Sequence, residues 1–125
     1  MNAGKTVLIV DDDHDIIESL TLIVESAGYG AVAAESVDEC FTALDRCRPD
    51  AIVLDIMLET LMDGLTLGSK IRSDPRFGDV PIIVISSLEE YASIPVRGHT
   101  EAANAFLTKP VAPDKLLYSL HSLID

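Results

Sequence analysis

The chain has 125 residues, 48 % of them apolar and 24 % charged, the size and balance of one compact domain with a real core. Its formal net charge is −12, from 21 acidic and 9 basic residues, which argues against direct nucleic-acid binding, a contact that needs a basic footprint. No apolar run approaches the roughly 18 residues of a membrane span, and Met1-Asn2-Ala3-Gly4-Lys5 lacks the pattern of a signal peptide, so a cytoplasmic protein without membrane contact is expected.

Thr6-Val7-Leu8-Ile9-Val10 is a continuous apolar, β-branched run. It predicts a strand covered on both faces, as in a parallel sheet. It stops at Asp11-Asp12-Asp13. Ile16, Ile17, Leu20, Ile23, Val24 and Ala27 then recur at helical spacing, and Gly28 is a natural stop for that helix. Ala31-Val32-Ala33-Ala34-Glu35 predicts a weaker strand. Ser36 followed by Glu39 forms a capping box, and Cys40, Leu44 and Cys47 give the next helix its buried stripe. In that helix the two cysteines stand roughly 10 Å apart, beyond the roughly 7 Å that a disulfide spans. They are therefore read as core-facing thiols.

Ala51-Ile52-Val53-Leu54 is the next buried strand, ending at Asp55. A helix follows from about Asp63 to Ser73. Pro81-Ile82-Ile83-Val84-Ile85 is another buried strand, ending at Ser86-Ser87. Ala105-Phe106-Leu107-Thr108 is shorter and ends at Lys109-Pro110. Pro113 suits the first position of the last helix, whose inner face is expected at Leu117, Leu120 and Ile124. Between Leu88 and Asn104, Pro95 and Gly98 interrupt any helix. No repeat, linker or low-complexity segment divides the chain, so residues 1–125 are read as one domain.

Strands alternating with helices give an α/β fold: a doubly wound parallel sheet with helices on both faces. Such sheets bind ligands beyond the carboxyl ends of their strands. The first strand here ends in Asp11 and Asp12, the third in Asp55, the fourth in Ser86 and the last in Lys109. Each has an ordinary reading alone: Asp11 or Asp12 as a helix cap, Lys109 as a solvated charge. Their convergence on one rim outweighs those readings. Crowded carboxylates repel, and a hard cation such as Mg²⁺ relieves that repulsion while also binding phosphate. Phosphoryl transfer needs positioning and charge neutralisation. Lys109 and the Ser86 hydroxyl suit the phosphoryl oxygens, and an ionised carboxylate suits the nucleophile.

The segments Val10-Asp11-Asp12-Asp13, Leu54-Asp55-Ile56-Met57, Asp63-Gly64, Ile85-Ser86-Ser87 and Thr108-Lys109-Pro110 resemble the receiver domains of two-component signalling, including the single-domain chemotaxis-type regulators. The resemblance covers essentially the whole chain. It implies a flavodoxin-like, five-stranded sheet in the order 2-1-3-4-5. It implies that Asp55 takes a phosphoryl group from a histidine kinase or histidine phosphotransfer protein. It further implies that Mg²⁺ is held by Asp12, Asp55 and the backbone carbonyl of Met57, with Asp11 assisting mainly through water. Ser86 and Lys109 would contact the phosphoryl group, and Phe106 matches the aromatic switch residue. The receivers it resembles also carry a cis bond at the position of Lys109–Pro110. Partner choice would rest on a downstream protein effector or a fused output domain. The chain departs from the usual pattern in three ways. Gly64 lies one position further from Asp55 and the loop Leu58-Glu59-Thr60-Leu61-Met62 has no proline; the Ser86–Lys109 interval is about one residue longer; and Phe106 replaces the commoner tyrosine.

A competing reading is a Mg²⁺-dependent phosphohydrolase acting through an aspartyl-phosphate. Such enzymes commonly carry a second Asp two residues after the nucleophile, and Met57 stands there instead. Turnover of a phosphate monoester would favour that reading. A receiver that only binds partners is the third, opposed by the complete set Asp11, Asp12, Asp55, Ser86 and Lys109. His14 is read as starting the first helix, His99 and His121 as surface residues, and Glu59 as a solvated loop residue. No Walker loop, Gly-x-Gly-x-x-Gly or Cys-x-x-Cys appears.

Overall fold

The computed structural model describes residues 4–58, 63–87 and 103–125. Glu59, His99 and most of the stretch between Leu88 and Asn104, in which Pro95 and Gly98 are expected to interrupt any helix, lie outside the described residues. The described residues form five strands: β1 (Thr6–Val10), β2 (Gly30–Ala34), β3 (Ala51–Asp55), β4 (Ile82–Ser86) and β5 (Ala105–Thr108). The described helices are α1 (His14–Ser26), α2 (Val37–Cys47), α3 (Asp63–Ser73) and α4 (Pro113–Ile124). The sheet order is β2-β1-β3-β4-β5, with every neighbouring pair parallel. This is the flavodoxin-like order that the resemblance implies. No described helix is long and apolar enough to cross a membrane.

The strands divide their side chains between two layers, because successive residues of a strand point to opposite faces. Leu8, Val10, Ile52, Leu54, Ile82 and Val84 pack with Cys40 and Leu44 of α2 and Leu67 and Ile71 of α3. Val7, Ile9, Val53, Ile83 and Ile85 pack with Ile17, Leu20 and Val24 of α1 and Leu116 and Leu120 of α4. The three central strands are therefore apolar at both parities, and their sequences read as unbroken apolar runs.

Local chemistry sets the boundaries. Asp13 caps α1, its Oδ1 accepting from the N–H groups of Asp15 and Ile16. This sets aside the alternative of Asp11 or Asp12 as the cap and leaves both free of that duty. Gly28 ends α1 at φ +91°. Its N–H donates to the Glu25 carbonyl, and the Tyr29 N–H reaches back to Val24, the paired bonds of a Schellman stop. Ser36 caps α2 by accepting from the Glu39 N–H at 3.1 Å. Glu39 reaches back to the Glu35 N–H, not to that of Ser36. β2 begins one residue earlier than expected, because the Gly30 N–H already donates to the Lys5 carbonyl. In α4 the fully buried residues are Leu116 and Leu120, with Leu117 and Ile124 only partly buried. The inner face is thus turned by one residue from the expected one. Cys40 is buried, Cys47 half-buried, and both are free thiols. Burial pushes the Cys40 thiol up to about 12, so it behaves as a small core residue.

Candidate functional site

The carboxyl ends of β1, β3, β4 and β5 bring Asp11, Asp12, Asp55, Ser86 and Lys109 to one rim of the sheet. Asp55 is the last residue of β3 and is 2 % exposed. The Lys109 ammonium lies 3.1 Å from Asp55 Oδ1, and the Met57 N–H donates to the same oxygen at 3.1 Å. Lys109 is held by its backbone as well: its N–H donates to the Ser86 carbonyl at 2.8 Å, one step past the end of β5. The Lys109–Pro110 bond is cis, as expected from the sequence.

Asp11 follows β1 directly and is buried completely. Its N–H donates to the Ala34 carbonyl, and its Oδ1 accepts from the Asp13 N–H at 2.9 Å. Its Oδ2 has no hydrogen-bond partner among the described residues, and neither has the buried Ser86 Oγ. Orphaned buried polar atoms are rare and call for an explanation. Burial, reinforced by the nearby Asp55 carboxylate, pushes the Asp11 carboxyl up to about 7, against the lowering effect of the Asp13 N–H and of Lys109. Asp12 is exposed at the mouth.

One carboxylate oxygen from each of Asp11, Asp12 and Asp55 lies within 4.8 Å of the others. All three are hard oxygen donors, one has an orphaned oxygen, and among the described residues no thiol or imidazole joins them. That donor set fits a small hard divalent cation better than a soft or nitrogen-preferring metal. The orphaned Ser86 Oγ, a neutral donor beside them, fits an anionic oxygen such as that of a phosphoryl group.

Other candidates fall elsewhere. His14 opens α1, is largely exposed, and lies 3.7 Å from Glu35. His121 is half-exposed, yet it is engaged with Tyr29 and Asp125 at the far end of α4 and is not a simple surface residue. Phe106 is half-buried against the layer that holds α2 and α3. The Met57 side chain is 38 % exposed beside Asp55 and has no titratable group to offer an intermediate.

A family model described as the response regulator receiver domain matches residues 7–121. The phosphate regulon transcriptional regulatory protein PhoB of Pseudomonas aeruginosa is 32 % identical over 121 residues, which are 97 % of this chain and 52 % of that protein. The chain thus spans about half the length of the curated relatives it matches. Among solved structures, a putative response regulator from Chloroflexus aurantiacus superposes with a TM-score of 0.85 at 32 % identity, covering 96 % of this chain and 97 % of that one. The Vibrio cholerae chemotaxis protein CheY4 superposes with a TM-score of 0.80 at 25 % identity, covering 97 % and 99 %.

Proposed function

The chain belongs to the response regulator receiver domain family, the phosphoacceptor modules of two-component signalling, and on that premise we propose that Asp55 is its phosphoacceptor. The observation that carries this reading is the 3.1 Å approach of Lys109 Nζ to Asp55 Oδ1 inside a cluster of three carboxylates. A buried carboxylate at a strand end, paired with one cation and set beside an orphaned hydroxyl, is built to receive a group that brings its own negative oxygens.

In the proposed reaction an Asp55 carboxylate oxygen attacks the phosphorus of a phosphohistidine. The new O–P bond forms as the P–N bond breaks, and the departing imidazole nitrogen takes a proton from solvent. Lys109 moves from its pairing with Asp55 Oδ1 toward a phosphoryl oxygen, so one cation serves both the free and the phosphorylated carboxylate. The Ser86 hydroxyl donates to a second phosphoryl oxygen, which supplies the partner its Oγ lacks. The Met57 N–H keeps the carboxylate oriented. Asp12, Asp55 and the Met57 carbonyl would hold Mg²⁺, with Asp11 assisting through water; the ion supplies charge neutralisation on the phosphoryl oxygens. The domain would also catalyse loss of its own phosphoryl group: water attacks phosphorus and gives a proton to solvent, the Asp55 O–P bond breaks to restore the carboxylate, and inorganic phosphate leaves.

The donor would be a histidine kinase or a histidine phosphotransfer protein. The output would be a protein effector or a fused domain, with residues 1–125 acting as a single cytoplasmic receiver unit that itself contacts neither nucleic acid nor membrane. Incubation with a small phosphodonor and Mg²⁺, followed by mass spectrometry, tests the assignment. One acid-labile phosphate on Asp55, lost in Asp55→Asn, is expected. Phosphate retained by Asp55→Asn would overturn it.

A further inference from the structure

β5 has four residues, and its register on β4 decides where both Phe106 and Lys109 sit. Ala105 and Leu107 pack in one core layer and Phe106 in the other. A slip of one residue would exchange those faces. The upper end of the strand is tied by the Lys109 N–H to the Ser86 carbonyl. The lower end is tied in a less usual way. Asn104, just before β5, holds both backbone polar groups of Ile82: its N–H donates to the Ile82 carbonyl at 2.7 Å, and its Oδ1 accepts from the Ile82 N–H at 2.9 Å. A side-chain oxygen thus takes a ladder donor that a strand carbonyl would ordinarily take.

The same Oδ1 accepts from Arg72 Nη2 at 2.9 Å, while Arg72 Nη1 donates to the carbonyls of Gly78 and Val80 at 2.8 and 2.7 Å. Two donors converge on one atom of the amide, and only its oxygen satisfies both. The planar guanidinium fork therefore fixes the Asn104 side chain against the end of α3 and the turn that leads into β4.

We propose that Arg72 and Asn104 are positioning residues for phosphoryl transfer: they pin the entry of β5 so that its far end presents Lys109 to Asp55. The proposal rests on the roles given above to Asp55 and Lys109. Neither residue touches the reacting atoms; Asn104 lies at the opposite, amino-terminal end of β5, with Arg72 bonded to it. The arrangement has a specific signature. The carboxylates that would hold Mg²⁺ are carried by β1 and β3, so loosening β5 displaces Lys109 and leaves the metal ligands in place.

The test compares wild type, Asn104→Ala, Asn104→Asp and Asp55→Asn at a temperature where circular dichroism shows each folded. Phosphorylation rates are measured with acetyl phosphate and saturating Mg²⁺, and Mg²⁺ affinity is titrated without donor. Asn104→Ala is expected to slow phosphorylation by about tenfold or more, the scale of a small misplacement of a reacting group, with no loss of Mg²⁺ affinity, since moving the Lys109 cation away from Asp55 removes a repulsion. Asn104→Asp keeps an acceptor for both donors and is expected to restore the rate. Asn104→Ser carries the same comparison if Asn104→Ala does not fold. Equal rates in wild type and Asn104→Ala, a parallel loss of Mg²⁺ affinity, or no rescue by Asn104→Asp would overturn the proposal while wild-type Asp55 is still phosphorylated. No phosphate on wild-type Asp55 would overturn the reading of the site and the proposal together.

Discussion

Tyr29 and Asp125, nearly the whole chain apart, are joined by a 2.9 Å hydrogen bond from the buried Tyr29 hydroxyl to Asp125 Oδ2. His121 Nδ1 contacts both of these oxygens, and Lys5 bonds the Ile124 carbonyl and pairs with Asp125 at 3.5 Å. The cluster ties the turn after α1, the start of β1 and the last turn of α4 together, at the sheet edge away from the carboxylates.

Tyr29→Phe should therefore lower stability on the order of 1 kcal/mol, the usual net worth of one such bond. The cluster also has a pH signature. Its partners, His121 first, hold the Asp125 carboxyl below its ordinary range. A depressed folded-state pKa contributes stability above the unfolded value of about 3.9 that is lost as pH falls through that region. Wild type should be more stable than Asp125→Asn at pH 7, with the gap closing toward pH 3. Denaturant melts across that range check it, and a gap that persists at pH 3 would contradict the pairing.

The turn after β3 carries its own prediction. Ile56 and Leu58 are fully buried in the layer that holds α2 and α3, so apolar packing anchors the loop that leaves the Asp55 strand. Leu58→Ala should cost about 2–5 kcal/mol, as other large-to-small core changes do. A urea midpoint shifted by less than the equivalent of about 1 kcal/mol would mean that the turn collapses around the loss.

Much of this was legible beforehand. β1, β3 and β4 announce themselves because central parallel strands are apolar on both faces, and the residue that breaks each run is the one that reaches the rim. Asp55, Ser86 and Lys109 were found that way, from strand ends alone. What escaped depends on partners distant in sequence. Nothing around Tyr29 points to Asp125, and nothing around Asn104 points to Ile82 or Arg72. The face of α4 was misjudged by one residue because Leu116, Leu117 and Leu120 fit two helical stripes equally well, and only burial in the core layer shared with α1 chooses between them. The cap at Asp13 was hidden among three adjacent aspartates with the same local chemistry.

Hydrolysis of a phosphorylated Asp55 requires a water held in line with the O–P bond. Met57 stands at the mouth beside Asp55, exposed and apolar, and its thioether is a poor hydrogen-bond partner for such a water. Slow loss of the phosphoryl group is expected, and Met57→Asn should speed it several-fold by supplying an amide at that position. The decay half-life after donor removal gives the comparison. Unchanged half-lives would show that this position does not govern access of water.

The carboxylate cluster sets function against stability. Asp11, Asp12 and Asp55 share one small volume, and without metal their charges repel. Burial and Asp55 raise Asp11 to about 7, so in the folded protein it holds its proton more tightly than in the unfolded chain. In EDTA this contribution to stability should rise as pH falls from about 7 toward about 4, opposite in sign to that of Asp125, and Asp11→Asn should remove it. Mg²⁺ binds the folded site and should stabilise wild type by RT ln(1 + [Mg²⁺]/Kd), about 1.4 kcal/mol at roughly ten times Kd. Asp12→Asn removes one repelling charge, at an exposed position where burial exacts no penalty, and one ligand. It should be more stable than wild type in EDTA, the ordinary exchange of function for stability, and should lose most of the Mg²⁺-dependent gain. Melts of both proteins at pH 7, with EDTA and then with millimolar Mg²⁺, decide the matter. An Asp12→Asn protein that is less stable in EDTA and keeps the full Mg²⁺ response would remove Asp12 from the metal site.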